Sequence, residues 1–336
     1  MLPTYLLLFL LSTYLCHLYI RHANRKNWLD LPNQRSSHTS PTPRGGGLVF
    51  IVLWLTALLC LPLFVPGSIH LLTTILPGTL IVAATGFWDD RASLNAKYRA
   101  LLYALAAILA LYFLGGFDRM SLTQTFVIPL PWIGSCFAFL AILWSTNLFN
   151  FMDGMDGIAA VGALFVLVLG SVFLGLSGAT GLAISASLLA ACVAGFLVWN
   201  RPPARLFMGD VGSTSLGFVI LLFALMGEQL YGVPFLLWMI LYMAFLIDTT
   251  LTLIRRVFAG EKWYQAHRSH AYQRLHQAGW SHGRVLLAFI GLNLVLSLFA
   301  LIAFFYPNLL LVMLLLSVLL TALLYWLIQL ASPVNV

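Results

Sequence analysis

The chain has 336 residues, of which 61% are hydrophobic and only 8% are charged, and its mean hydropathy is +0.97. Soluble domains keep about a quarter of their residues charged, so this chain cannot cover a water-facing surface and is excluded from the soluble classes. The net charge of +7 then indicates a membrane face suited to anionic lipids and anionic substrates, and no nucleic-acid partner is expected.

Eleven apolar segments of membrane-spanning length follow one another along the chain. They predict an all-α integral membrane protein, a bundle of about 11 transmembrane helices that forms one polytopic domain over residues 1–336. The eighth segment is expected to be short. The segments are residues 2–20, 47–66, 70–88, 100–116, 131–149, 158–176, 179–199, 213–229, 233–254, 285–305 and 307–330.

Lys and Arg residues set the expected orientation. With the N-terminus outside and the C-terminus in the cytoplasm, 16 of the 17 basic residues lie in inward-facing segments, and only Arg119 lies outside. Basic residues follow the first apolar segment and do not precede it, so we expect a retained first span and not a removable signal peptide. The inward segments are 21–46, 89–99, 150–157, 200–212, 255–284 and the tail.

The stretch NLFNFMDGMDG at 147–157 places four polar side chains in an apolar chain. Steps of three residues turn the direction on an α-helix by about 60° each, so a straight helix cannot aim all four at one ligand. The two glycines after the aspartates therefore predict that the helix ends here and lines a polar pocket. The four residues are Asn147, Asn150, Asp153 and Asp156.

Five carboxylates from three different loops lie at the cytoplasmic ends of predicted spans. Gathered on one face, they would repel each other strongly unless cations bind there. An oxygen-ligand site for Mg²⁺ that leaves positions for phosphate oxygens explains them most economically. Asp89 and Asp90 are adjacent and point to different sides, so they are not expected to share one role. The five are Asp89, Asp90, Asp153, Asp156 and Asp210.

Two glycine-rich stretches begin apolar spans. In GDVGST, Asp210 is followed by Ser213 and Thr214, and in TPRGGG at 42–47 Arg44 precedes three glycines. Backbone N–H groups at such helix starts form anion sites, and a packing role is the more common alternative for any one glycine-rich turn.

The last cytoplasmic loop, 255–284, interleaves aromatic residues with cations, as in a segment at the lipid–water interface. His267 and His270 have an HxxH spacing, but no Cys or second ligand pair accompanies them, so zinc is not predicted. Asp248 is an intramembrane carboxylate, which predicts a functional role or a buried cationic partner.

Three motifs together resemble a known family. DD at 89–90, NxxNxxDGxDG at 147–157 and FMGDVGS at 207–213 are similar to those of the polyprenyl-phosphate N-acetylhexosamine-1-phosphate transferases, glycosyltransferase family 4. The similarity covers nearly the whole chain, including motif order. RSSHTSPTPRGGG at 35–47 and HRSHAYQRL at 267–275 most resemble the O-antigen-initiating group of WbpL type.

The resemblance implies a reaction at the cytoplasmic face of the bacterial inner membrane. Undecaprenyl phosphate attacks the β-phosphate of a UDP-N-acetylhexosamine, which releases UMP and forms a lipid-linked sugar diphosphate. The implied cofactor is Mg²⁺, with Mn²⁺ as a substitute, and a homodimer is compatible with the family. Direct in-line attack is preferred over a covalent aspartyl intermediate, because it requires fewer steps.

The resemblance also implies roles for individual residues. Asp210 is the expected chief Mg²⁺ ligand with Asn150 as a second, and Asp89 or Asp90 deprotonates or orients the lipid phosphate. Phosphates are neutralised by Lys97 and Arg44, and the catalytic His270 acts on the sugar-phosphate side. The expected substrate-binding residues are Arg44, Asn147, Asp153, Asp156 as a hydrogen-bond acceptor from the base, Phe207 stacked on uracil, His267 and Arg268.

Other functions fit less well. A secondary transporter places its binding groups near the bilayer midplane in repeated halves, whereas these polar residues cluster at one face and no repeat is evident. A non-catalytic scaffold does not require five interfacial carboxylates. Within the enzyme class two donors stay open, a 6-deoxy sugar (UDP-FucNAc or UDP-QuiNAc) and UDP-GlcNAc as in the WecA type.

Overall fold

The computed structural model describes residues 2–32, 40–123, 126–261 and 267–331. Residues 35–39 of the stretch RSSHTSPTPRGGG and residues 262–266 of the last cytoplasmic loop lie outside the described residues.

The described chain is almost entirely helical, with two short antiparallel strand pairs. Strand β1 (Leu29–Asp30) pairs with β2 (Thr42–Pro43), and β3 (Arg119–Ser121) pairs with β4 (Val127–Pro129). The helices are α1 Leu2–Arg25, α2 Gly47–Cys60, α3 Ile69–Ala92, α4 Ala96–Leu114, α5 Pro131–Met152, α6 Ile158–Leu176, α7 Thr180–Asn200, α8 Asp210–Tyr231, α9 Phe235–Phe258, α10 Ala271–Gln277, α11 His282–Phe305 and α12 Leu310–Ala331.

Every predicted apolar segment is a helix, which confirms the all-α polytopic membrane fold. Within the described ranges, ten helices are long and apolar enough to cross a membrane. The shorter apolar helix Gly47–Leu63 corresponds to the remaining predicted segment, 47–66. The expectation of a short eighth span is wrong. Helix α8 has 22 residues, because it begins at Asp210 and not at Ser213, and the short helix is α2.

Helix α8 lies at the centre of the bundle, and its residues Asp210 to Glu228 are all buried. Glycines let the neighbouring helices approach it closely, because a Cβ at these positions would meet backbone. A Cβ on Gly47 of α2 would lie 2.2 Å from the Cα of Gly212, and one on Gly217 would lie 2.2 Å from the carbonyl oxygen of Ser145 in α5. Helix α8 is therefore held by backbone-to-backbone packing of the kind that small residues permit in membranes.

A buried carboxylate holds α8 at its C-terminal end. Glu228 is fully buried and accepts hydrogen bonds from the backbone N–H of Ser121 at 3.1 Å, from the Ser121 hydroxyl at 2.6 Å and from the N–H of Phe235 at 2.7 Å. These bonds join the β3–β4 hairpin and the start of α9 to the same point. A buried carboxylate with three donors is the satisfied state that burial requires.

The predicted inward-facing loops meet at the opposite end of the bundle. The backbones of Arg44 and Phe207 form an isolated β-bridge. The Tyr272 hydroxyl donates to the carbonyl of Phe151 at 3.0 Å, and Asp90 contacts the start of α8. The loops that the basic residues predict to face inward therefore lie together at one end of the bundle.

We expect Gly217→Ala to destabilise the protein, because the added methyl group would collide with the Ser145 carbonyl. The measurement is the fraction of detergent-solubilised protein that stays monodisperse after heating. Gly291→Ala is the matched control, since a Cβ at this helical position meets nothing within 4 Å. In the control the better helix propensity of Ala should leave stability equal or slightly higher, and equal melting of the two variants would contradict the packing argument.

Candidate functional site

The two glycine-rich stretches pair with each other through their backbones. Phe207 N–H donates to the carbonyl of Pro43 at 2.8 Å, Gly46 N–H donates to the carbonyl of Phe207 at 2.9 Å, and Gly47 N–H donates to that of Met208 at 2.8 Å. These backbone N–H groups are therefore already hydrogen-bonded within the protein. The expected anion site at TPRGGG is therefore wrong, and the stretch instead fixes the start of α2 beside the start of α8.

The N-terminus of α8 is occupied by the Asp90 carboxylate. Asp90 Oδ1 accepts from the N–H of Asp210 at 2.9 Å and Oδ2 accepts from the N–H of Val211 at 3.2 Å, and the Asp90 side chain is only 2% exposed. A carboxylate is the favoured group at a helix N-terminus. The anion site expected here is thus filled by the protein itself. Ser213 and Thr214 do not cap the helix, because their hydroxyls donate to carbonyls four residues back.

Arg44 lies between two of the carboxylates. Its Nε is 2.9 Å from Asp90 Oδ1, and its Nη2 is 2.6 Å from Asp210 Oδ1. Burial lowers the pKa of Arg44, but the charges of Asp210 and Asp90 outweigh burial and raise the pKa above its ordinary value. The repulsion expected among the carboxylates is therefore reduced by a cation of this chain.

A second guanidinium, which the sequence reasoning missed, belongs to the same cluster. Arg99 in the first turn of α4 pairs with Asp89 Oδ2 and lies 3.7 Å from Asp210 Oδ2. Asp89 Oδ1 accepts from the N–H of Leu94 at 2.6 Å, so Asp89 and Asp90 point to different sides, as predicted. The short connection between α3 and α4 was the available signal, because it folds the start of α4 back onto the end of α3.

Lys97 is exposed, and within the described ranges its ammonium forms no ion pair. Lys97 belongs to the same first turn of α4 as Arg99 and is therefore a cation available to a ligand near this end of the bundle.

Helix α5 ends at Met152 and α6 begins at Ile158, which confirms that the NLFNFMDGMDG stretch leaves the helix at its aspartates. Asn150 donates to Ser213 Oγ at 3.1 Å, which places it against the first turn of α8. Asn147 instead donates to the carbonyl of Leu143 in its own helix at 2.8 Å. The polar stretch thus joins the carboxylate cluster through Asn150.

Asp153 lies on the partly buried edge of the site. In the part of the chain that is described, its carboxylate has no hydrogen bond or ion pair. Burial raises the pKa of Asp153 well above its ordinary value; Arg44 opposes the increase, and the charges of Asp210, Asp90 and Asp156 add to it. Strongly perturbed carboxylates in clefts are candidates for functional groups.

Asp156 is directed away from this cluster. Its Oδ2 accepts from the N–H of Ala204 at 3.0 Å and lies 3.0 Å from His282 Nδ1. It therefore joins the loop before α8 to the start of α11, on the side of the site where Phe207 is partly exposed.

The last loop is attached to the site by α10. Asp248 Oδ1 accepts from the N–H of Ala271 at 2.9 Å and lies 3.3 Å from His270 Nδ1, so the predicted partner of Asp248 is a histidine. The His267 and His270 ring centroids are 4.8 Å apart. Burial, and then the nearby His270 and arginines, lower the pKa of His267 to about 3, so its ring is neutral at physiological pH. Arg268 is half-buried and forms contacts of its own.

An apolar groove of about 560 Å³ lies between α9, α11 and α12 and ends at this loop. Met152, Gly291, Leu324 and other apolar residues line it, and Asp248 and Tyr272 lie at its polar end. Because Asp248 and Tyr272 also hold α10 on the site, the groove and the polar cluster share residues.

Comparisons with known proteins agree with this arrangement. The glycosyl transferase family 4 model matches residues 72–228. A probable undecaprenyl-phosphate N-acetylglucosaminyl 1-phosphate transferase of Bacillus subtilis is 31% identical over 283 residues, which cover 82% of this chain and 76% of the relative. The chain belongs to glycosyl transferase family 4.

Further relatives within the family differ in their named activities. A decaprenyl-phosphate N-acetylglucosaminephosphotransferase of Mycobacterium leprae is 29% identical over 79% of this chain and 74% of its own length. A phospho-N-acetylmuramoyl-pentapeptide-transferase of Symbiobacterium thermophilum is 30% identical over 76% of this chain and 80% of its own. The predicted superfamily of polyprenyl-phosphate hexosamine-1-phosphate transferases is thereby confirmed, and the chain is a multi-pass membrane transferase of that superfamily.

We expect Asp153→Asn to raise thermal stability at pH 7–8. A carboxyl group whose folded pKa is raised stabilises the fold below its unfolded pKa, about 4, and this contribution is lost as the pH rises through the folded value. The advantage of the variant should therefore shrink as the pH falls toward 4. Melting temperatures in detergent at several pH values measure it. Asp118→Asn is the control, because Asp118 is exposed and its hydrogen bonds with Gln229 and Arg119 lower its pKa, so its pH dependence should have the opposite sign. A pH-independent difference would contradict the role of burial.

Proposed function

We propose that this protein transfers N-acetylhexosamine-1-phosphate from a UDP-sugar to a polyprenyl phosphate at the cytoplasmic face of the bacterial inner membrane, releasing UMP. The observation that carries the proposal is the cluster of Asp89, Asp90 and Asp210 with Arg44 and Arg99, at the end of the bundle where the basic loops meet. A lipid phosphate arrives in the membrane plane and a nucleotide sugar arrives from water, so the reaction belongs at such an interface. The relatives are named for a polyprenyl phosphate and for transfer of an N-acetylglucosamine phosphate group, which supports the lipid acceptor and the transferred group.

The donor set fits a Mg²⁺ ion. Mg²⁺ is usually held by one or two carboxylates together with substrate phosphates and water, and Asp210 with the amide oxygen of Asn150 supplies such a set. Among the described residues no group of three or more His, Cys, Asp or Glu is arranged to hold a metal, so substrate oxygens and water would have to complete the coordination. When bound, the ion would neutralise the charge of the diphosphate.

The cations of the chain have the complementary task. Lys97 is available to a phosphate, and Arg99 is 35% exposed while it touches both Asp89 and Asp210. Guanidinium groups match phosphate oxygens in a forked geometry. We assign the orientation of the lipid phosphate to Asp89 acting through Arg99, because Asp90 is fixed as the cap of α8.

Direct attack by the lipid phosphate is the favoured chemical route. A phosphate monoester has its second pKa near 6, so most of it is already a dianion at pH 7 and needs no general base. The oxygens of Asp89 and Asp90 accept hydrogen bonds or ion pairs, and their side chains are 7% and 2% exposed. A nucleophilic aspartate would need an accessible oxygen, so these contacts disfavour a covalent intermediate.

On the side of the nucleotide sugar, an isolated β-bridge between the two backbones holds Phe207 beside Arg44, which suits stacking on uracil near the diphosphate. Asp156 and His270 keep their proposed roles toward the base and the sugar phosphate. Two donors remain: the relatives' names favour UDP-GlcNAc, and the motifs at 35–47 and 267–275 favour UDP-FucNAc or UDP-QuiNAc for O-antigen or a related glycan.

The deciding experiment follows UMP release by the purified protein with undecaprenyl phosphate and Mg²⁺. UDP-GlcNAc, UDP-GalNAc, UDP-FucNAc and UDP-QuiNAc are offered separately, with EDTA as a control. UMP that depends on the lipid and is lost with EDTA supports the proposal and identifies the sugar. A folded protein that releases UMP from none of them would contradict it and favour a transporter.

We expect Asp210→Asn to lower UMP release at least ~100-fold, because loss of a metal ligand removes several kcal/mol of transition-state stabilisation. Asp118→Asn is the matched control, since Asp118 is an exposed acid beside Gln229 at the other end of α8. Elution profile and melting temperature check that both variants are folded. Full activity of Asp210→Asn would remove Asp210 from the metal site.

The groove between α9, α11 and α12 is our candidate for the isoprenoid chain of the acceptor. Gly291→Phe would fill it without a backbone collision, because a Cβ at Gly291 meets nothing within 4 Å. We expect the KM for undecaprenyl phosphate to rise about tenfold and the KM for the UDP-sugar to stay unchanged. Gly283→Phe is the matched control, since Gly283 is equally open on α11 and does not line the groove. If the KM for undecaprenyl phosphate is equal in both variants, the isoprenoid chain binds outside this groove.

A further inference from the structure

The Arg44 guanidinium contacts the carboxylate of Asp210, the residue proposed above as the chief metal ligand. Its Nη2 is 2.6 Å from Oδ1 of Asp210, while the other oxygen of Asp210, Oδ2, is 3.7 Å from Arg99. Both oxygens of Asp210 therefore face positive charge of the chain itself. Mg²⁺ binds oxygens at 2.0–2.1 Å, so an ion on Asp210 would lie close to the positive charge of an unmoved Arg44 and be repelled by it.

The backbone of Arg44 is fixed, so only its side chain is free to move. The Arg44 carbonyl accepts from the Tyr19 hydroxyl at 2.9 Å, its N–H donates to the carbonyl of Trp28 at 3.3 Å, and its backbone forms an isolated β-bridge with Phe207. Arg91 holds the Tyr19 hydroxyl in turn, also at 2.9 Å. The Arg44 side chain is nevertheless 39% exposed, which leaves it a path toward water and toward a ligand that arrives from water.

Asp90 does not depend on Arg44 alone. Its two oxygens also accept from the N–H groups of Asp210 and Val211. Departure of the guanidinium would therefore leave the cap of α8 in place and free the carboxylate of Asp210.

We propose that Arg44 is an internal cation that occupies Asp210 in the resting protein and moves to the diphosphate of the nucleotide sugar when the metal binds. The inference rests on the metal site proposed above. Arg44 would then weaken metal binding in the absence of nucleotide, and metal and nucleotide would strengthen each other's binding by the same factor, as linkage requires. The chain would in this way keep its carboxylates neutralised between turnovers without holding a metal tightly.

Binding of Mn²⁺ to the full-length protein in detergent, without lipid or sugar, tests this directly. Titration calorimetry or Mn²⁺ electron paramagnetic resonance gives the Kd for the wild type, Arg44→Gln and Arg44→Lys, each with and without UDP. We expect Arg44→Gln to bind Mn²⁺ at least about tenfold more tightly without UDP, within the range usual for coupled sites. UDP should strengthen Mn²⁺ binding clearly in the wild type and much less in this variant. Arg44→Lys keeps the charge but not the fork that bridges two carboxylates, so its Kd should lie between the two.

Arg205→Gln is the matched control, because it removes one exposed positive charge from the loop that precedes α8. Its Mn²⁺ affinity should equal that of the wild type, so a gain of the same size there would overturn the proposal as a general charge effect. Unchanged or weaker Mn²⁺ binding by Arg44→Gln also overturns it. If Arg44→Gln does not fold, Arg44→Lys is the test variant. A Mn²⁺ Kd of Arg44→Lys equal to that of the wild type then overturns the proposal. Absence of Mn²⁺ binding in every variant overturns both this inference and the metal site, while UMP release still tests the transferase separately.

Discussion

The site depends on the contact between the Asp90 carboxylate and the first two N–H groups of α8. A helix that is buried from its first turn carries unpaired N–H groups and a partial positive charge at its N-terminus, and in a membrane protein water does not satisfy them. Asp90 supplies both the acceptors and the opposite charge. Because Asp210 is the first residue of that helix, its position relative to α3 follows from the same contact.

The close approach of α2 and α3 to α8 serves this arrangement. Glycines at the contact points leave no side chain between the backbones, as at Gly47 against Gly212 and at Gly86 against Asp210. The carboxylates of α3 and α8 are thereby brought within reach of the same guanidinium. Two arginines from different segments then supply the charge balance that a cluster of buried carboxylates requires.

Much of this could be predicted from the sequence, and the failures at the helix starts share a physical origin. Composition and the distribution of Lys and Arg were sufficient for the helices and for the set of loops that meet at one end. The glycines after Asp153 and Asp156 correctly predicted where α5 ends. Spacing alone could not reveal whether N–H groups at a helix start face a ligand or a side chain of the protein, so both anion sites were wrong. Arg99 was missed although Asp89 is only ten residues away, because spacing alone does not show that the start of α4 folds back onto the end of α3.

The predicted roles at the 147–157 stretch show a second limit. All four polar residues were assigned to one pocket, since nothing in their spacing separates them. In the fold Asn150 turns toward α8, Asn147 toward its own helix, and Asp156 toward the loop before α8 and His282. Which way each side chain turns is decided by neighbours from other helices, and a single sequence does not contain that information in readable form.

Helix α8 has a carboxylate at each end, Asp90 at the first residues and Glu228 at the last turn, and each joins it to other elements. A helix anchored at both ends and packed through glycine cannot tilt or slide without breaking buried hydrogen bonds at one of them. Alternating-access transport requires relative movement of halves of the bundle about such a centre. In this protein the centre is anchored at both ends, and the carboxylate–arginine cluster lies at one of them. Under the proposed function, the two substrates would therefore meet at a surface held in place by α8.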